Sequence, residues 1–534
     1  TLIDIMLIGH YIEAKSLLSA SSALGDLVKL MPKHALRITK NGEHEEVAID
    51  TLQVADLILV RPGEKVPADG IVKEGESMND EAFLTGESKP VYKEAGSSVF
   101  MGSTNLDGAL KVEIGKDGKE SYLSQMISLV QEAAKSKSHT QNLANRAAGW
   151  LFYLSVSVSA VTFAVWSMIT STGDSVQKAI TVLIIACPHA LGLAVPLVTA
   201  ISTSLGARKG ILIRNREAFE KLRNAEVICF DKTGTVTEGK LSVTEVYALE
   251  DEKKMLSYAL SLERNSEHSL ASAIVDYVEK EAIAPMRVKA FEAYPGIGAK
   301  AIIDGKTIMI GGMQLIEKES LDIPEPMHQY AYREASKVWV AADGRVIGLF
   351  LLEDTIRKDA RDAIETLQRM GIKSVMLTGD NALVAADVAR QTGIEQYEAN
   401  LLPDEKLAKI DQLKSEGKIV AMVGDGINDA PALLKADIGI AIGAGTDIAI
   451  ESADIILTKS ELLHVTDAIR LSQTTYRKMV QNLWWASGYN IIAIPLAAGV
   501  LTSWGIMIKP ALGAVLMSLS TVIVAFNAQL LKER

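Results

Sequence analysis

Cysteine is almost absent from this chain: among 534 residues only Cys187 and Cys229 occur, the first inside an apolar stretch and the second in a short apolar run. Neither position suits a structural disulfide, so a disulfide-stapled fold is excluded and a reducing cytosol fits best. Dense Lys/Arg runs are also lacking and the formal net charge is −11, which argues against nucleic acid as a partner. Four long apolar stretches, approximately 147–169, 176–205, 483–501 and 506–531, contain no Asp or Glu. A Ca²⁺ or Mg²⁺ site of several carboxylates cannot be assembled from them. The chain begins without methionine, basic leader or cleavage site, inside the run Leu2-Ile3-Asp4-Ile5-Met6-Leu7-Ile8-Gly9. That run resembles the tail of a membrane helix, and further amino-terminal spans are expected before it.

The length implies roughly three or four domains at about 150 residues each. Mean hydropathy is positive, and each of the four stretches approaches the ~20 apolar residues needed to cross a bilayer core. They lack the polar face of a buried soluble helix. Lys135, Lys137, Arg146, Arg208, Lys209, Arg214, Arg470, Arg477, Lys478 and Lys532 flank the sides facing the large domains. The basic bias puts those domains in the cytosol.

Between 47 and 112, short apolar runs broken by Gly, Pro and Asp predict a small β-rich domain. Further on, Val227-Ile228-Cys229-Phe230 predicts a buried strand that ends at Asp231-Lys232-Thr233-Gly234-Thr235-Val236-Thr237. A carboxylate there stands where open α/β sheets place their ligands and can attack a phosphoryl group to form an acyl phosphate. Soluble phosphatases of the haloacid dehalogenase type usually carry a second aspartate two residues later, as acid and base. Thr233 stands in its place, so the aspartyl phosphate should hydrolyse slowly, which favours a pump over a phosphatase.

Asp231 to Thr237 resembles the phosphorylation motif of P-type ATPases, and further motifs of that family follow in order across nearly the whole chain. Thr85-Gly86-Glu87-Ser88 resembles the dephosphorylation loop and Thr378-Gly379-Asp380 a phosphate-contacting turn. Gly424-Asp425-Gly426-Ile427-Asn428-Asp429 resembles the magnesium and hinge loop. Asp354-Thr355-Ile356-Arg357 and Pro403-Asp404-Glu405-Lys406 complete the pattern. The chemistry agrees: Asp231, Asp425 and the Thr233 carbonyl suit Mg²⁺, while Lys406 and Thr378 can neutralise and hydrogen-bond a transferred phosphoryl group. Glu87 can act as base only when its domain swings toward the phosphoaspartate.

The resemblance implies a haloacid dehalogenase-like phosphorylation domain at 214–239 and 344–465, with a nucleotide-binding domain at 240–343 inserted in it. It further implies an actuator domain at 31–130, a partial helix and extension at 1–30, and paired transmembrane helices at 131–213 and 466–534. Glu263, Glu267-His268, Gly296-Ile297-Gly298 and Gly311 match the ATP-binding positions of heavy-metal-transporting members, with Ser269 where the family has proline.

Cys187-Pro188-His189 lies inside the second apolar stretch, where proline kinks a helix and frees carbonyls beside a thiol and an imidazole. Such ligands favour soft or borderline metals, copper first, then silver or zinc. The motif resembles the Cys-Pro-His class of copper exporters (CopB-type). Tyr489, Asn490, Met517 and Ser520 match its further polar positions, and Asn145 stands where relatives commonly place an aspartate.

The expectation is therefore a multidomain α/β protein joined to an α-helical membrane bundle. It should be a monomer of a prokaryotic cell membrane that uses ATP and Mg²⁺ to export copper, with a cytosolic copper donor as a possible partner. A pump for zinc or cobalt, or a membrane-tethered phosphatase or sensor, are the alternatives left open.

Overall fold

The structure is a computed structural model describing residues 7, 11, 31–39, 41–81, 90–115, 121, 123–125, 127–128, 139–266, 269–294, 297–331, 335–426, 429–443 and 451–531. The chain divides into two units, one of residues 1–225, 436–460 and 464–534 and the other of 226–435 and 461–463.

In the first unit, Leu57–Val60 and Leu110–Ile114 bury alternate side chains, as strands with one face on a core do. They pair antiparallel, Val60 opposite Leu110, within a six-stranded sheet over a core that includes Ile58, Val72 and Val112. A smaller sheet pairs Ser77–Asp80 with Val91–Lys93, Asn79 opposite Val91. Their pairing draws together the ends of 82–89, the segment expected to hold Glu87, which lies outside the described residues. A buried ion pair, Lys93 Nζ to Glu81 Oε1 at 2.9 Å, sits at its base.

The helices of this unit include α1 His139–Ser167, α2 Thr172–Ile185, α3 His189–Arg208, α4 Arg216–Leu222, α5 Leu463–Ser487, α6 Asn490–Ala497 and α7 Pro510–Gln529. Among the described residues, 140–167, 172–208 and 510–529 are long and apolar enough to cross a membrane. The second of these breaks between α2 and α3 at Ala186, Cys187 and Pro188, as its prolines predict. The third expected stretch, 483–501, is divided between the end of α5 and the short α6. The cause is local. A Cβ on Gly488 would stand 2.7 Å from the Trp484 carbonyl, so this turn tightens where an ordinary residue would clash, and Pro495 removes a further helical donor. α1 and α7 each pack on α2 and α3, and α6 packs on α2.

After α3, Ile211–Ile213 pairs antiparallel with Ile455–Leu457, and α4 follows with Arg216 only 1% exposed. Arg216 Nη2 donates to Ser202 Oγ of α3 at 2.8 Å, and its Nε is 4.0 Å from Glu220 Oε1. Glu220 Oε2 in turn accepts from the Thr140 hydroxyl of α1 at 2.8 Å. Burial lowers the Arg216 pKa to about 10, so it remains charged at neutral pH.

The second unit holds four parallel strands, β1 Val227–Asp231, β2 Lys373–Leu377, β3 Gln396–Glu398 and β4 Val420–Gly424, in the order β4-β1-β2-β3. Every residue of β1 and β4 is buried, which is why these strands read as continuous apolar runs. A six-stranded antiparallel sheet from Thr237–Ala248 and Arg345–Ile356 out to Val288–Tyr294 forms the other part, its core shared with the helices Glu252–Glu263 and Ser269–Lys280. Both cysteines are free thiols, and burial pushes that of Cys229 up to about 12.

Candidate functional site

Asp231 ends β1 with Leu377 of β2 opposite it, and the chain then turns sharply through Gly234 at φ 74°. Glycine is required here twice over. The left-handed torsion suits it, and a Cβ would stand 2.8 Å from Asp425 Oδ2. At the end of β4 a Cβ on Gly424 would meet the Asp429 side chain at 3.0 Å, so this glycine admits Asp429 to the same pocket. Lys406 enters from the helix Pro403–Ser415, whose first turn is fixed by proline and by Glu405 accepting from the Leu402 amide at 2.8 Å.

Lys406 Nζ bridges Asp231 Oδ1 at 2.5 Å and Asp429 Oδ1 at 3.1 Å. Lys232 pairs with Asp380, whose Oδ2 accepts from the Thr378 hydroxyl at 3.0 Å. Gly379 stands between them, and a Cβ there would meet the Leu401 carbonyl at 3.4 Å, an ordinary contact. Two further groups fix the loop after Asp231. The Arg357 guanidinium donates to the carbonyls of Thr235 and Gly234, both at 2.7 Å, and the Thr237 hydroxyl donates to Asp354 Oδ2 at 2.5 Å. Sequence reasoning placed Asp354 and Arg357 in a motif without a task, and it missed the Lys232 to Asp380 pair. The signal available was the planar fork of arginine, suited to gripping two successive oxygens.

Burial, then the charges of Asp429 and Asp425, push the Asp231 carboxyl up to about 7 against the opposing pull of Lys406. Burial also raises Asp429. Burial alone would lower Lys406, but the two carboxylates outweigh it and hold its pKa above the ordinary value. With Lys232 and Asp380 neutralising each other, Asp231, Asp425 and Asp429 face Lys406 with an excess of negative charge. Asp429 Oδ2 is buried without a hydrogen-bond partner among the described residues. An acid excess with an orphaned oxygen fits a hard divalent cation, and Asp231, Asp425 and the Thr233 carbonyl could hold Mg²⁺. Asn428 lies outside the described residues, as does Glu87.

A second cavity, about 240 Å³, lies against the antiparallel sheet and is lined by Glu263, Ser266, Tyr294, Gly298 and Gly311 among others. Burial pushes Glu263 up to about 7. Gly298 and Gly311 are paired across neighbouring strands. A Cβ on either would stand within 2.9 Å of the other's Cα, so the floor of the cavity is bare backbone. The expected His268 and Gly296 lie outside the described residues.

In the membrane helices, Cys187 is half-buried in the break between α2 and α3, and His189 opens α3. The Tyr489 hydroxyl donates to the Ile185 carbonyl at 3.1 Å, next to the break. Asn490 is 2% exposed, and neither its Oδ1 nor its Nδ2 has a partner among the described residues. On α7, Gly513, Met517, Ser520 and Val524 share the buried face. Gly513 lies against Ile185, Ser520 Oγ donates to the Trp485 carbonyl at 3.1 Å, and buried Met517 stands one turn from each. No group of three His, Cys, Asp or Glu side chains gathers among the described residues. A metal held here would draw on thioether, amide or hydroxyl groups as well as the thiol.

Comparison with known proteins agrees with this architecture. Residues 225–437 match the haloacid dehalogenase-like hydrolases and 29–131 the P-type ATPase actuator domain. The chain is 50% identical to the copper-exporting P-type ATPase B of Archaeoglobus fulgidus, over all of this chain and 77% of that protein. It is 44% identical to a probable copper-transporting P-type ATPase B of Staphylococcus aureus, over all of this chain and 80% of that one. A zinc-transporting PIB-type ATPase crystallised in an E2.Pi state superposes with a TM-score of 0.62 at 32% identity, covering 99% of this chain and 86% of that one. The chain therefore belongs to the P-type ATPases, enzymes that hydrolyse ATP while translocating ions.

Proposed function

We propose that this chain exports copper, Cu⁺ first and Ag⁺ or Cu²⁺ after it, out of the cytosol of a prokaryotic cell as a multi-pass pump of the cell membrane. The observation that carries the reading is the helix break at Ala186, Cys187 and Pro188, just before His189, with the amide of Asn490, unpartnered among the described residues, at the start of the helix packed on α2. The curated relatives named above, copper pumps by their names, support it.

In this reading ATP lies with its base by Glu263, His268, Gly296, Gly298 and Gly311. An Asp231 oxygen attacks the γ-phosphorus, a new O–P bond forms as the bond to the bridging oxygen breaks, and ADP leaves. Lys406 and Thr378 stabilise charge on the transferred group, with Asp380 orienting the Thr378 hydroxyl. Asp231, Asp425 and the Thr233 carbonyl would hold Mg²⁺, which would supply charge neutralisation at the phosphates. Arg357 and Asp354 hold the loop that carries Asp231, and Asn428 and Asp429 complete the pocket. Glu87 then activates water against the phosphoaspartate, a task Thr233 cannot perform. Cys187, His189, Tyr489, Asn490, Met517 and Ser520 are the proposed groups on the copper path, and the domain limits are those expected above. We further propose a monomer supplied by a cytosolic copper donor.

The test is ATPase activation by Cu⁺, Ag⁺, Cu²⁺, Zn²⁺ and Co²⁺ under reducing and oxidising conditions. Activation by Cu⁺ and Ag⁺ is expected; activation by zinc alone would overturn the copper assignment.

A further inference from the structure

Lys178 lies in α2 within a candidate membrane span, and it is 7% exposed. Lysines that merely anchor a helix extend the ammonium to the aqueous edge. This one is covered by protein instead. Its Nζ stands 4.1 Å from the centre of the Trp166 ring of α1. The indole is itself fixed, donating from Nε1 to the Ala498 carbonyl at 2.8 Å, and a Cβ on Gly499 would stand 2.7 Å from the ring. Beside it, Ser159 Oγ of α1 donates to the Ala179 carbonyl of α2 at 2.9 Å, which clamps the two helices together. The nearest carboxylate along α2, Asp174, is exposed and accepts from Ser171 Oγ at 3.0 Å, and no carboxylate pairs with Lys178 among the described residues.

A charge inside a membrane is costly and by default marks a pathway. Stacking on an indole face compensates the ammonium without neutralising it. Lys178 precedes Cys187 by nine positions, about 13 Å along a helix. It lies on the side of the break toward 168–171, whereas the basic ends of α1 and α3 mark the cytosolic side.

We propose that the Lys178 ammonium is a fixed positive charge on the outward leg of the ion path, which lowers the hold of that leg on the transported cation and opposes its return. The inference rests on the copper-export reading. An ion on the outward leg passes Lys178, whereas an ion arriving from the cytosol stops at the break, so the effect is larger on the outward side. At an effective dielectric constant of about 20, a unit charge about 13 Å away weakens binding of a monovalent cation at the break by about tenfold, and at about half that distance on the outward leg by roughly 50–100-fold.

The experiment uses the full chain in sealed proteoliposomes, with ATP and Ag⁺ supplied outside to pumps whose catalytic domains face outward, and graded Ag⁺ loaded in the lumen. K178M and K178Q remove the charge and K178R keeps it; phosphorylation from inorganic phosphate reports that each variant is folded. The luminal Ag⁺ that halves the ATPase rate should fall by more than about tenfold, toward roughly 50–100-fold, in K178M and K178Q, stay at the wild-type value in K178R, and shift further than the outside activation constant, which should fall by about tenfold at most. Unchanged luminal inhibition in both neutral variants would overturn the proposal. Equal shifts on the two sides would overturn it too, since a packing role or a uniform field predicts that symmetry. Failure of Ag⁺ and Cu⁺ to activate wild type at all would instead overturn the export reading, and is seen before any variant is compared.

Discussion

The pocket around Asp231 and the helix break around Cys187 handle charge in opposite ways. Around Asp231 charges stand in quantity and answer one another: Lys406 spans two carboxylates, Lys232 takes Asp380, and Arg357 grips the loop. Around Cys187 the neighbours Tyr489, Asn490, Met517 and Ser520 are of uncharged residue types, and among the described residues both polar atoms of Asn490 are buried without a partner. Water and protein dipoles can offset strong charges at a sheet edge, but inside a bilayer each added charge costs several kcal/mol. A catalytic site can thus be held together by the interactions that make it work, whereas an ion site in a membrane must keep its ligand atoms free and accept the loss of stability. That contrast can be tested by substitution on each side of it.

The largest effect is expected at the nucleophile. Asp231→Asn keeps the shape of the pocket but cannot attack phosphorus, so acid-stable phosphoenzyme from ATP should vanish while nucleotide still binds; undiminished phosphoenzyme would dissolve the comparison altogether. Cys187→Ala comes next: copper-stimulated turnover should be lost, while phosphorylation from inorganic phosphate, which needs Asp231 and no transported ion, should persist. Normal copper activation in that variant would mean that Cys187 only packs the helix.

Asn490→Leu separates stability from function. Removing two orphaned polar atoms should raise stability by about 1–3 kcal/mol while the copper activation constant rises by roughly tenfold or more. A destabilised variant with unchanged copper response would show that Asn490 serves packing. Arg357→Met is the counterpart in the catalytic pocket, where stability and function should fall together. Phosphorylation should slow by about 10–100-fold as the loop carrying Asp231 loses its grip, with the copper activation constant unmoved.

The smallest effect is a pH slope. Glu263 takes its proton at about 7 in the fold against an ordinary 4.5, so the folded state binds more protons between those values and stability falls as pH rises through them. Glu263→Gln should flatten that fall, leaving the variant more stable than wild type at pH 8 by up to about 3 kcal/mol and no different near pH 4. Thermal melting across that range is the measurement.

How far these features can be read in the sequence depends on whether one residue or a pairing carries them. The apolar run before Asp231 and the turn after it specify a strand and a ligand position locally, and β1 is found at 227–231. Lys406 and Thr378 were legible because their motifs sit at element ends, and the structure does bring Lys406 to Asp231. The Lys232 to Asp380 pair was hidden, since nothing local tells which distant carboxylate will face a lysine. Hydropathy averaged over a long window passed over Gly488, where one residue decides that α5 stops. It also passed over Lys178, since one ammonium among so many apolar neighbours barely moves a mean.

The buried contacts of Arg216 bear on how such a protein can be taken apart. The natural seam for grafting a catalytic head onto a foreign membrane bundle lies in the strand at 211–213, and a cut there would separate Arg216 and Glu220 from Ser202 and Thr140. A guanidinium cannot shed its proton to suit a new neighbour, so the graft would carry a buried cation without its Ser202 partner, and a carboxylate without its Thr140 donor, into an interface. Chimaeras that transplant the far ends of α1 and α3 together with α4 should assemble where those cut at the strand do not, which makes the exchangeable part of the machine larger than its cytosolic domains.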